Sequence, residues 1–115
     1  MTMQQQATYN QAREWALDVS KKLEKKMRYG AEEARKVDFI PYSVKDGKWA
    51  PSHIGWWTNG FWGAELLQMY MLTGDKYFLE QAVRAEKMMD AALADFKGLS
   101  HDVGFQWLIQ SGVRY

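Results

Sequence analysis

The sequence has 115 residues, of which 47% are hydrophobic and 25% are charged, a composition typical of one globular domain with a modest core. Fifteen basic and fourteen acidic residues give a formal charge of +1, which provides no strong field to hold a polyanion and disfavours a nucleic-acid partner. The absence of cysteine excludes disulfides, thiolate catalysis and cysteine-ligated metals.

The amino terminus carries no targeting signal that the sequence reveals. Its first residues, MTMQQQATYNQAREWAL, lack the basic and then apolar pattern of a signal peptide, and no apolar stretch approaches membrane-spanning length. We therefore expect no membrane partner. The expected compartment is the cytoplasm, or the periplasm if a signal has been removed.

The first predicted element is an amphipathic helix from about residue 8 to residue 29, ended near Gly30. Apolar residues recur at steps of three and four, with charged residues between them. These apolar positions are Ala12, Ala16, Val19, Leu23 and Met27.

A long connection follows, FIPYSVKDGKWAPSHIGWWTNG, residues 39–60. It contains both prolines and two glycine-centred turns and has no helical period, which predicts a loop with at most a short extended piece. Loops of this length in compact domains are commonly functional. Four large aromatic residues stand among glycines where the loop meets the next helix, and both core packing and sugar binding are open for them: Trp56, Trp57, Phe61 and Trp62.

A second helix is predicted from residue 59 to residue 72, with Thr58 or Asn59 as its cap. Its apolar positions are Phe61, Trp62, Leu66, Leu67 and Tyr70. After the Thr73-Gly74-Asp75 turn, Asp75 can cap a third helix that runs to about residue 96 and is stopped by Gly98. Its apolar stripe comprises Phe78, Ala82, Ala85, Met89, Ala92, Leu93 and Phe96.

A fourth helix is predicted from Val103 onward, with Asp102 as its cap and Phe105, Leu108 and Ile109 as apolar positions. Because the turns between the helices are short, neighbouring helices should form antiparallel hairpins. The predicted fold class is therefore all-α.

The sequence offers few groups for catalysis. His53 and His101 have no partner at metal-ligand spacing, which disfavours a zinc site. No glycine-rich phosphate loop follows a strand, and no serine stands on a nucleophile elbow. The aromatic and glycine cluster and the segment LSHDVGFQW remain.

Three motifs, WTNGFW at 57–62, LTGDKY at 72–77 and GLSHDVGF at 98–105, occur in an order and at a spacing that resemble the amino-terminal part of the unsaturated glucuronyl hydrolases, glycoside hydrolase family 88. The resemblance covers residues 54–115, and the first helix in its pattern only. It implies an (α/α)6 barrel with the active site at one end of the inner ring, and it implies no metal or organic cofactor.

The resemblance also implies a reaction, the release of a terminal 4,5-unsaturated uronic acid from oligosaccharides left by polysaccharide lyases. An aspartic acid protonates the C4=C5 double bond, water adds at C5, and the hemiketal collapses. Because 115 residues are too few for the barrel and the resemblance places the second aspartate beyond Tyr115, we expect residues 1–115 to be the amino-terminal part of one hydrolase domain. That part is expected to be inactive alone and to expose apolar surface that self-associates or packs against further chain. The alternative is a small helical module that binds carbohydrate or self-associates without catalysis.

The candidate site residues follow from the resemblance. Trp57 matches the tryptophan that lines the sugar site, although a tryptophan packed between helices would have the same pattern; Trp56, Phe61 and Trp62 are assigned mostly to the core. Asp102 matches the acidic position and is equally a helix cap.

Capping would constrain the role of Asp102. A carboxylate that accepts backbone N–H bonds is favoured in its charged form, which suits accepting hydrogen bonds from sugar hydroxyls or stabilising positive charge on the ring. The proton donor would then be the second aspartate. His101 is a further candidate for substrate binding, although a lone histidine beside a cap is more often a plain surface residue. The expected partner is an unsaturated uronyl oligosaccharide.

Overall fold

The computed structural model describes residues 1–95 and 99–115, which form five helices and one β-hairpin, so the all-α prediction is confirmed. The elements in chain order are α1 Met3–Ala34, β1 Ser43–Lys45, β2 Lys48–Ala50, α2 Asn59–Thr73, α3 Lys76–Asp95, α4 Val103–Trp107 and α5 Ser111–Arg114. Across these described ranges, no helix combines the length and the apolar character that crossing a membrane would require.

Helix α1 begins earlier and ends later than the sequence pattern predicts. A capping box starts it, in which the Thr2 hydroxyl accepts the Gln5 backbone N–H and the Gln5 side chain accepts the Thr2 N–H. The predicted end at Gly30 is wrong, because Ala31 and Ala34 are buried and their packing outweighs the low helix propensity of glycine.

The apolar stripe predicted for α1 is largely uncovered. Ala12, Ala16 and Leu23 are exposed, and every residue from 1 to 18 is exposed as well. Among residues 1–95 and 99–115, the contacts of α1 with the rest of the protein are made by the last third of the helix. There Arg28 donates to Asp75 Oδ2 at 2.7 Å, and its guanidinium lies 5.0 Å from the ring centroid of Phe78.

The loop after α1 contains the short extended piece that the sequence predicts. Strands β1 and β2 are antiparallel, with Ser43 opposite Ala50 and Lys45 opposite Lys48. Asp46 and Gly47 connect them, and both have positive φ, as the tight turn of a two-residue hairpin requires. Arg84 of α3 donates to the carbonyls of Ala34 and Val37 and so fixes the chain at the start of this loop.

Helices α2 and α3 form the predicted antiparallel hairpin. Gly74, with φ of +71°, ends α2, and the Asp75 carboxylate accepts the Tyr77 N–H at 2.9 Å, which confirms Asp75 as a cap. This bond and the nearby Arg28 guanidinium hold the pKa of Asp75 below its usual value.

The core lies between these two helices, with Leu66, Phe78 and Met89 fully buried. The predicted stripe of α3 is confirmed at five positions, Phe78, Ala82, Ala85, Met89 and Ala92. Leu93 is exposed, so its predicted burial is wrong. Phe96 and Gly98 lie outside the described residues.

The fourth predicted helix is interrupted. Helix α4 ends at Trp107, and the Gln110 side chain donates to the Gln106 carbonyl at 2.8 Å, the group that the Gln110 backbone N–H would bond in a continuing helix. Both glutamines are buried. A short α5 follows, and its Arg114 forms an ion pair with Glu86 of α3 at 2.7 Å.

Candidate functional site

The loop before α2 is organised by Asn59. Its side chain is buried, donates to the carbonyls of His53 and Ile54 at 3.0 Å each, and accepts from the Ser52 hydroxyl at 3.2 Å. Neither Thr58 nor Asn59 caps α2 with its side chain, so that prediction is wrong: Asn59 uses its amide on the preceding loop. The loop is thereby fixed to the first turn of α2.

Five aromatic side chains form a continuous surface beside this loop, which we call the aromatic row. Trp57 is central, with its ring centroid 5.8 Å from that of Phe61 and 5.5 Å from that of Phe105. Phe61 and Phe105 stack with centroids 6.1 Å apart. Trp56 extends the row from Trp57, and Tyr42 extends it from Trp56, each over 6.5 Å.

The aromatic row faces solvent rather than the core. Trp56 is 44% exposed and Phe61 is 38% exposed, so their assignment to the core is wrong. Trp57 is partly buried because Phe61 and Phe105 pack on it. Trp62 alone follows the core assignment and packs against the buried cluster.

The glycines of this segment serve packing between helices. A Cβ at Gly60 would lie against the Phe105 carbonyl and 2.6 Å from Gln106 Cα, and a Cβ at Gly63 would lie against the Gln110 side chain. Glycine at position 60 therefore lets the backbone of α4 lie directly on α2, and glycine at position 63 makes room for the Gln110 side chain. In this segment, therefore, Gly60 and Gly63 serve packing, whereas the rings of Trp56 and Phe61 are exposed to solvent.

This packing brings Phe105 to Trp57. Asp102 lies three residues before Phe105 in the chain. The predicted cap by Asp102 is wrong, because its carboxylate makes no cap hydrogen bond. Its φ of −85° and ψ of 11° lie outside the extended region in which a side chain reaches the following N–H groups. The carboxylate is therefore not used as a cap by α4.

Asp102 and His101 pair with each other at the end of the site. His101 Nε2 lies 3.7 Å from Asp102 Oδ2, and the side chains are 92% and 33% exposed respectively. The ring contacts of Trp57 are instead with other members of the aromatic row. Phe105 contacts the Trp57 ring and donates its backbone N–H to the Asp102 carbonyl at 3.0 Å.

Sequence reasoning missed two members of the aromatic row, Tyr42 and Phe105. Phe105 belongs to the HDVGF motif, so its closeness to Asp102 in the sequence could have indicated that it lies at the candidate site. The contact of Tyr42 with Trp56 depends on the path of the loop that carries the β-hairpin, which the sequence pattern does not indicate. Within residues 1–95 and 99–115, no three histidine, aspartate or glutamate side chains are grouped as metal ligands.

Comparison with known proteins gives one partial relationship. No protein-family model matches the sequence, and no solved structure matches it. Among curated proteins, the chain is similar to the unsaturated glucuronyl hydrolase of Bacillus sp. (strain GL1), with 36% identity over 63 residues. The match covers 47% of this chain and 17% of that protein, so the chain matches only a small part of the relative's length. The relationship is distant and partial.

Proposed function

We propose that the native polypeptide containing these residues is a glycoside hydrolase that removes a terminal 4,5-unsaturated uronic acid from lyase-generated oligosaccharides. The observation that carries the proposal is the solvent-facing aromatic row, whose member Phe105 donates its backbone N–H to the carbonyl of Asp102 at 3.0 Å. The partial similarity to the Bacillus enzyme supports the same reaction class. In this proposal α2 and α3 are one helical hairpin of an (α/α)6 barrel.

The aromatic row would bind the sugar rings. An indole or phenyl face is a good platform for the C–H face of a pyranose. Successive centroids along the row are 5.5 to 6.5 Å apart and the ring planes are inclined at 46° to 83°, so the rings would contact an oligosaccharide in different orientations. Because Phe61 and Phe105 both pack against Trp57, its ring is positioned before the sugar arrives.

Asp102 would act on the reacting ring as an electrostatic stabiliser. It would accept hydrogen bonds from sugar hydroxyls and stabilise the positive charge that develops when the C4=C5 bond is protonated at C4. Water then adds its hydroxyl at C5 and returns its remaining proton to the acid, and the hemiketal opens with loss of the glycosidic bond. The acid is assigned to a second aspartate, and His101 to substrate binding beside Asp102.

The decisive variant is Asp102→Asn in the native polypeptide. We expect the rate on an unsaturated uronyl disaccharide to fall on the order of a hundredfold or more, measured as the slower loss of its ultraviolet absorption. Since the carboxylate does not cap α4, Asp102→Asn and Asp102→Ala should both keep the circular dichroism and thermal midpoint of the parent. Asp90→Asn, at an exposed carboxylate of α3, is the matched control. Parent-like activity in Asp102→Asn would remove the assignment.

Binding can be tested on the 115-residue chain. We expect the disaccharide to bind, and Trp57→Ala to weaken its affinity by several-fold to about tenfold, whereas Trp15→Ala on the exposed part of α1 should not. Because the proposal assigns the acid to a second aspartate rather than to Asp102, we expect the bound disaccharide to persist without turnover. Equal affinity in the two tryptophan variants would contradict sugar binding at the aromatic row.

A second candidate function is self-association without catalysis. The uncovered first part of α1 favours it, since Trp15 is 68% exposed and Leu17 is 51% exposed in the described structure. Sedimentation velocity at several concentrations should show a dimer that Trp15→Lys disrupts and Lys22→Ala does not. A monomer at all concentrations would contradict this candidate.

A further inference from the structure

A concavity of about 700 Å³ lies between the last third of α1, the β-hairpin and α2. It shares no lining residue with the aromatic row. Its volume is that of a site for one small molecule or one or two sugar units. Neither the hydrolysis proposed above nor its candidate residues use this concavity.

Two tryptophans form its walls. Trp49 of β2 and Trp62 of α2 have ring centroids 6.1 Å apart, with planes inclined at 59°, and both rings are partly exposed. Their faces therefore meet at an angle and present an apolar corner to the concavity. Such a corner fits the C–H face of a saturated ring.

Gly30 lies on the α1 side of the same concavity. A Cβ at this position would lie 3.8 Å from both Trp49 and Trp62, which is ordinary contact, so packing does not require glycine there. Glycine inside a helix costs about 1 kcal/mol relative to alanine. The cost is explained if the open backbone at Gly30 makes room for a ligand against the two indoles.

The charges that line the concavity are unevenly paired. Lys36 is paired with Glu33, whereas Lys26 and Lys48 have no acidic partner among the described residues. Glu65 also lines it and has no ion pair among the described residues, and burial raises the pKa of its carboxyl. Two unpaired lysines against one unpaired glutamate leave a net positive charge beside the apolar corner.

We propose that this concavity is a second saccharide site that binds a uronate unit, with Trp49 and Trp62 against the pyranose ring and Lys26 and Lys48 on its carboxylate. The choice of a uronate among anions rests on the proposed function, because an acidic oligosaccharide would then be the molecule at hand. Such a site would hold part of the polymer away from the aromatic row.

The indole N–H signals in a two-dimensional NMR spectrum test this site, because they report each of the six tryptophans separately. Titration with methyl β-glucuronide should shift the Trp49 and Trp62 signals saturably, also in a Trp57→Ala background. Methyl β-glucoside, which lacks the carboxylate, should bind more weakly. Absence of saturable shifts at Trp49 and Trp62, or equal affinity for the two glycosides, would overturn the proposal.

Two variants sharpen the test. Lys48→Ala should weaken the glucuronide affinity about two- to fivefold, the effect of one exposed ion pair, while Lys45→Ala on the same hairpin, outside the concavity, should not. Gly30→Ala should fold at least as well as the parent and bind the glucuronide less tightly, because its methyl group would occupy space on the α1 side of the concavity. Unchanged affinity in both Lys48→Ala and Gly30→Ala would overturn the assignment. Shifts confined to Trp56 and Trp57 would leave the proposed function standing and refute this site alone.

Discussion

Gly60 is the position where the contact between α2 and α4 can be broken by one methyl group. A Cβ there would lie 2.6 Å from Gln106 Cα, and α4 would have to retreat by at least about 0.8 Å to reach the ordinary separation of 3.4 Å. Overpacking of this kind costs about 1–3 kcal/mol, and the better helix propensity of alanine returns about 1 kcal/mol. We therefore expect Gly60→Ala to lower the free energy of unfolding by about 1 kcal/mol.

The matched control is Gly104→Ala in α4, where a Cβ would meet nothing within 4 Å. This variant should gain about 0.5–1 kcal/mol from propensity, so the two alanine variants should differ by about 2 kcal/mol in urea unfolding followed by circular dichroism. Because α4 carries Phe105, Gly60→Ala should also change the fluorescence of Trp57. If both variants were equally stabilised, α4 would not lie on α2 as described.

Three further changes have outcomes set by the described contacts. Phe78→Ala removes the largest fully buried side chain and should lower the free energy of unfolding by about 3–5 kcal/mol in urea denaturation, against less than about 1 kcal/mol for the exposed Leu72→Ala; similar values would contradict the core assignment. Arg114 lowers the pKa of Glu86, so this pair should stabilise the fold by about 1–2 kcal/mol at neutral pH and lose that contribution as pH falls below 4.5. Urea titrations across pH should accordingly show Glu86→Gln less stable than the parent at pH 7 and converging with it in acid, and a constant difference would refute the linkage. Asn59→Asp keeps the shape of the side chain but removes the amide N–H groups that donate to two carbonyls, so thermal unfolding should show a free energy of unfolding lower by about 2 kcal/mol or more. An unchanged thermal midpoint would show that the amide does not organise the loop.

The parts of the fold that are determined by residues close together in the sequence were predictable. The α3 stripe from Phe78 to Ala92 and the Asp75 cap are local patterns, and both are confirmed. The end of α1 was not predictable, because burial of Ala31 and Ala34 against the core overrides the local signal of Gly30. Tertiary packing likewise decides that Leu93 is exposed.

The candidate site was predictable in its residues more than in their arrangement. The motifs point to Trp57 and Asp102, but the displayed position of Phe61 and the role of Gly60 require knowing that α4 crosses α2 at its first turn. That crossing brings together residues more than forty positions apart in the sequence, a contact that the local hydrophobic pattern does not indicate. The cap at Asp102 failed for a local reason, since its backbone angles do not direct the carboxylate toward the N–H groups of α4.

Helix α1 is continuous over 32 residues, yet its two ends are stabilised by different means. The amides near Ala31 are protected by the packed core, so they should exchange with solvent hydrogen only through global unfolding. The amides before residue 18 have only the helix itself, and an isolated helix of that length is marginal in water. We therefore expect this one helix to behave as two cooperative units, with its first half opening and closing many times during the lifetime of the folded core.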